Sequence, residues 1–239
     1  MSGPCAPNPR RSSDGASLGA LVLGGRCPCG RSGIVPCPRC AATARPGGPG
    51  PTPSGLDLLV VGRVYEGITR EVVARCKYRN ERSAIDWLVE PVVTALLAHR
   101  SAFDGLTVTW APTTDVRRRA RGFDHATLLA AAIARSLGRG SRSTLRRLDA
   151  RPQTGRDRPE RLEGPRFVAR TAVRGPVLVV DDVVTTGSTL TAAARSARAA
   201  GATTVIGACV ARTDGARGRA EGHACSAPEL RPDAQGAAR

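Results

Sequence analysis

Aromatic residues are scarce: Phe, Trp and Tyr together make up 3% of the 239 residues. A core packed on aromatic rings is therefore excluded, and filling falls to Val, Leu, Ile and Ala within a hydrophobic fraction of 41%. The same scarcity argues against an aromatic platform on which nucleobases stack. Lysine is nearly absent, Lys77 being the only one, so the net charge of +16 is carried by arginine. No apolar run reaches the roughly 18 residues of a membrane span. "SLGALVLGG" (17–25) is short, broken by glycine and lacks an obvious small-residue cleavage site, which predicts no secretory signal and a cytoplasmic protein by default. The pattern G-x-x-x-x-G-K-[ST] is missing, which excludes a Walker-type nucleotide loop.

What is present begins with charge. A basic surface suits a polyanionic partner, either nucleic acid or a phosphorylated metabolite. An Arg-, Ala- and Gly-heavy chain also follows from biased codon usage, and the charge alone does not separate the two. Four of the eight cysteines, Cys27, Cys29, Cys37 and Cys40, fall within "CPCGRSGIVPCPRC". Four thiolates in two close pairs suit a tetrahedral Zn²⁺ knuckle better than a disulfide framework, although the first pair is a tight C-x-C. His99, His125 and His223 are scattered and read as surface or capping residues.

Composition divides the chain into a polar, disordered N-terminus (1–16), the cysteine-rich region (17–45) and a Pro/Gly linker (46–55). A main domain over 56–213 and a tail without periodicity (214–239) complete the division. Within the domain, "LDLLVVGRVYEG" (56–67) reads as a strand or hairpin and leads into helices over 68–79 and 82–100, the second open to a kink at Pro91. Strand, helix, strand, helix, strand then follow over 106–112, 124–138, 175–182, 188–201 and 202–211. Such alternation predicts an open α/β sheet, with ligands beyond the carboxyl ends of its strands.

"VLVVDDVVTTGSTL" (177–190) lies at such an end. Thr185, Thr186, Gly187, Ser188 and Thr189 join a buried strand to a helix start, and their hydroxyls and the free N–H groups of the helix terminus make a phosphate cradle. Asp181 and Asp182 would repel a phosphate placed directly on them. A sugar phosphate resolves the conflict: phosphate in the turn, ribose hydroxyls on the two carboxylates, and a divalent cation nearby.

This stretch resembles the signature of type I phosphoribosyltransferases, which bind 5-phosphoribosyl 1-pyrophosphate (PRPP) with Mg²⁺. Three further blocks resemble ComF/GntX-type proteins: "YEGITREVVARCKYRN" (65–80), "VTWAPTTDVRRRARGFDHATLLAAAIA" (108–134) and "LRRLDARPQTGRDRPERLEGPRFVA" (145–169). The resemblance spans about residues 17 to 213. It departs at Ala111, where a proline is usual, at Asp124, where asparagine is usual, at Arg156 in place of leucine, and near Gly164 in place of asparagine. It implies a type I phosphoribosyltransferase-like sheet with hood helices over 56–100 and a core over 101–213. It implies Mg²⁺ on Asp181 and Asp182, and a flexible loop carrying Arg117, Arg118, Arg119 and Arg121 that closes over pyrophosphate, which Lys77 also contacts. An arginine run also reads as a solvated face or a nucleic-acid patch. The family further implies natural competence, and with it a non-catalytic alternative: an accessory protein handling imported single-stranded DNA. No protein nucleophile stands out, and no pattern identifies the acceptor.

Overall fold

The computed structural model describes residues 25–98, 104–148 and 164–214; the expected N-terminal and tail segments, His99 and His223 lie outside them. The described chain opens on an antiparallel pair, β1 (Gly25–Arg26) and β2 (Ser32–Gly33), and a short helix α1 (Pro38–Ala41). There follow β3 (Leu58–Val64), α2 (Gly67–Arg79), α3 (Ile85–Leu97), β4 (Thr107–Trp110), α4 (Asp115–Arg121) and α5 (His125–Ser136). The chain ends on β5 (Leu145–Leu148), β6 (Arg166–Ala169), β7 (Gly175–Val184), α6 (Ser188–Ala199) and β8 (Ala202–Arg212).

Strands β3, β8, β7 and β4 form one parallel sheet in that spatial order. Their continuous apolar runs reflect burial on both faces. Along β7, Leu178 and Val180 join the core under α2, α3 and α5, whereas Val177 and Val179 join the core under α6 and the β5–β6 pair. The period of two that makes successive side chains point to opposite faces thus divides one strand between two cores. The chain leaves β4 toward α5 on one face and β7 toward α6 on the other. Between the carboxyl ends of these neighbouring strands the connections diverge and a crevice opens.

Two expectations change. Leu58–Val64 takes the strand alternative and pairs with β8 at the edge of the described sheet, so the segment expected to form a hood supplies part of the sheet itself. The expected linker 46–55 is packed along that edge: the Gly47 N–H donates to the Gly62 carbonyl at 2.9 Å and Pro46 bridges Arg63. Its short polar and proline-rich make-up hid backbone pairing that needs no apolar side chains. Pro91 sits inside α3, as expected, and cannot donate to the carbonyl of Trp87, four residues earlier. The buried Arg63 of β3 donates to that carbonyl instead, Nη1 to O at 2.7 Å, with its guanidinium stacked 3.8 Å from the Trp87 ring. Among the described residues, no helix is long and apolar enough to cross a membrane.

Candidate active site and cysteine cluster

Strand β7 delivers Asp181 and Asp182 to the crevice because its last buried valines hold it straight to Val184. Each carboxylate folds back on the following backbone: Asp181 Oδ1 accepts from the Asp182 N–H at 2.8 Å, and Asp182 Oδ1 accepts from the Val183 N–H at 2.6 Å. The other oxygen of Asp182 meets the Lys77 ammonium at 2.9 Å. Lys77, expected on pyrophosphate, thus reaches from the last turn of α2 to neutralise one of the acids. Burial, reinforced by the charge of Asp182, pushes the Asp181 carboxyl up to about 8, against the Asp182 N–H and Lys77.

The loop then turns at Gly187, whose φ of 79° is open to glycine at little cost. A Cβ there would also lie 2.6 Å from Pro53 Cγ, so the packed 46–55 segment roofs the loop. Asp181, Thr185, Gly187, Ser188 and Thr189 line a hollow of about 20 Å³ at the start of α6. Thr186 stands apart from it, its hydroxyl 3.2 Å from Ser188 Oγ, and lines a cavity on the Pro53 side with Thr185 and Arg212.

Beside the hollow lies a cavity of about 320 Å³, whose walls include Asp181, Asp182, Thr189, Lys77, Arg117 and Arg121. The arginines do not sit on an open loop. Thr114 accepts from the Arg117 N–H, Asp115 occupies the first turn and Gly122 ends the helix at φ 78°, so 115–121 winds as α4. Its cap, its acidic start and its glycine stop were present in the sequence but were outweighed by the run of like charge. Arg121 lies 4.9 Å over the Tyr78 ring, Arg118 pairs with Asp115 at 2.8 Å and faces a neighbouring cavity, and Arg119 is exposed.

Two further residues shape this cavity. Asp124 caps α5 through the Ala126 N–H at 3.1 Å and accepts from the Thr113 N–H at 3.0 Å, which clamps the β4–α4 turn to α5. Burial raises its carboxyl. His125, expected as a surface or capping residue, is 2% exposed and lines the cavity. Its place was legible: His125, Leu129 and Ile133 recur at spacing four, and all three are buried.

Residues 165–237 match the phosphoribosyl transferase domain. No curated protein matches the chain. The phosphoribosyl transferase match contains β7, the Asp181–Thr189 loop, α6 and β8, the half of the site that carries the acids and the hydroxyl-lined hollow. Lys77, the β4–α4 turn, Arg117, Arg121 and His125 lie outside the matched residues.

Away from the crevice, the Sγ atoms of Cys27, Cys29, Cys37 and Cys40 all lie within 4.8 Å of one another. The Cys29–Cys37 separation of 3.7 Å is close to the spacing of about 3.8 Å expected between sulfurs of a tetrahedral zinc site with Zn–S of about 2.3 Å. Burial pushes the Cys27 thiol up, but the backbone N–H groups of Cys37 and Cys29 outweigh it and bring it to about 6, toward the thiolate a metal needs. The tight C-x-C pair closes on a turn, with the Cys27 N–H donating to the Arg31 carbonyl at 2.8 Å. The donor set fits a structural zinc.

Proposed function

We propose that the chain is a phosphoribosyltransferase-like protein of the ComF/GntX type that binds PRPP, or a related ribose 5-phosphate, with Mg²⁺ and passes the phosphoribosyl group to an acceptor. One observation carries this reading. The adjacent acids at the end of β7 run without a gap into a hydroxyl-rich hollow at the start of α6, at the crevice where β4 and β7 diverge. The 5-phosphate takes the hollow formed by Thr185, Gly187, Ser188 and Thr189, with Thr186 behind it. The ribose hydroxyls take Asp181 and Asp182, and the pyrophosphate extends toward Lys77, Arg117 and Arg121, with Arg118 and Arg119 on the outer face of α4. Two adjacent carboxylates suit a hard cation by their chemistry, so Asp181 and Asp182 would hold Mg²⁺, which would supply positive charge to offset that of the leaving pyrophosphate. Lys77 must release Asp182 for that, and is then free to meet the anion. Cationic charge grows on the sugar during transfer, so the chain's contribution is orientation and placed charge, without a protein nucleophile.

In the same reading, residues 17–45 form a zinc knuckle beside a phosphoribosyltransferase-like domain over 56–213, in a cytoplasmic protein. Calorimetry with PRPP, with and without Mg²⁺, tests the assignment. The double substitution Asp181→Asn, Asp182→Asn should abolish Mg²⁺-dependent binding while thermal unfolding stays cooperative. Undiminished affinity in that variant overturns it.

A second reading, the handling of single-stranded DNA in natural competence, is favoured by the exposure of Arg118 and Arg119 on the outer face of α4.

A further inference from the structure

The two ring nitrogens of His125 serve no contact in the packing of the fold. Of the buried side chains whose polar atoms lack a hydrogen-bond partner among the described residues, it is the one that lines the 320 Å³ cavity. Both ring nitrogens, Nδ1 and Nε2, are without a partner, and the residue is 2% exposed. A buried polar group in that state costs free energy comparable to a missing hydrogen bond. Leucine would fill the same position, one helical turn before Leu129, without that cost.

The ring is neutral near pH 7. Burial pulls its pKa down to about 4, Lys77 and Arg121 add to the effect, and Asp182 opposes it. A neutral imidazole offers one N–H donor and one acceptor nitrogen. The charged neighbours on the cavity wall are the cations Lys77, Arg117, Arg121 and Arg147 and the carboxylate of Asp124, whereas Asp181 and Asp182 come from the β7 end. A sugar phosphate that places its ribose hydroxyls on β7 turns its C1 substituent toward the wall built by α2, α4 and α5.

We propose that His125 is a ligand-contacting residue whose ring N–H hydrogen-bonds an oxygen of the anionic group at C1, so that the cavity prefers a C1-pyrophosphate to a bare ribose 5-phosphate. The inference rests on the reading of the β7 loop given above. Both nitrogens are buried in the unliganded protein, so the contact requires the ring to turn about Cβ–Cγ, a rotation that is soft for an imidazole.

The test titrates the full-length protein, by calorimetry with Mg²⁺, against PRPP, inorganic pyrophosphate and ribose 5-phosphate. His125→Leu should weaken PRPP and pyrophosphate roughly 10- to 100-fold, the range of a hydrogen bond to a charged group, and leave ribose 5-phosphate within about 2-fold. His125→Gln, whose amide keeps a donor and an acceptor, should retain most of the wild-type affinity for all three. His125→Phe keeps the ring without its nitrogens and replaces the leucine variant should that one not fold. Wild-type affinity for PRPP in the leucine or phenylalanine variant overturns the proposal, and so does an equal loss for all three ligands, which makes His125 a packing residue. Failure of the wild-type protein to bind either PRPP or ribose 5-phosphate overturns the reading of the loop itself.

Discussion

Arg63 and Pro91 answer one another across the β3–α3 contact. Proline removes the donor that would satisfy the Trp87 carbonyl, and the guanidinium of a buried arginine supplies it. The same guanidinium approaches Glu90 at 3.3 Å, but that carboxylate is largely exposed, so the ion pair adds little. Arg63→Leu should therefore destabilise the fold by about 1–3 kcal/mol, the cost of leaving a shielded carbonyl unmet. In a Pro91→Ala background the penalty should shrink, because the restored N–H at position 91 returns to Trp87. Urea unfolding of the four variants in this cycle measures the coupling, and an equal penalty in both backgrounds rejects it. At this scale the sequence marked the proline as a disturbance of a helix. It carried no sign of the remedy, because a lone arginine in a strand looks the same whether it faces solvent or a helix.

Helix α2 connects the cysteine cluster to the crevice. Arg75 Nη1 donates to the Arg26 carbonyl at 2.8 Å, and Val35 is buried in the same core as Val72 and Cys76. Two residues after Arg75, Lys77 reaches Asp182. A bound zinc that holds 27–40 in shape should therefore also steady the end of α2. Metal analysis should find about one zinc per chain, and Cys40→Ser should lose it. In that variant, amide hydrogen exchange should quicken across 71–79 as well as across 25–42; quickening confined to the knuckle rejects the coupling. Most elements of this size were readable beforehand, since apolar runs and helical spacing located β4, α5, β7, α6 and β8 to within a few residues. The acids and hydroxyls of 181–189 were readable for the same reason, being contiguous. The other wall was not: Lys77 comes from α2, Arg117 and Arg121 from α4 and His125 from α5, and only the fold brings these three elements to one cavity.

The whole molecule carries a charge of +16, and the outer face of α4 presents part of it to solvent. Single-stranded DNA should bind weakly, without sequence preference and with affinity that falls steeply with salt, because neutralised phosphates release counterions. Replacing Arg118 and Arg119 by Ala should flatten the salt slope by about two units, roughly one for each phosphate that no longer meets an arginine, with PRPP affinity unchanged. A slope that does not move leaves α4 a solvated surface. The strand order has a consequence for synthesis. Among the described strands, β3 pairs with β8 alone, Leu58 against Ile206 and Val64 against Arg212. An early strand must then wait on the ribosome until β8 has been translated, and closure of so long a loop makes folding slow. Chains halted before β8 expose an unpaired flank on both β3 and β7, two bare edges able to capture each other in neighbouring nascent chains.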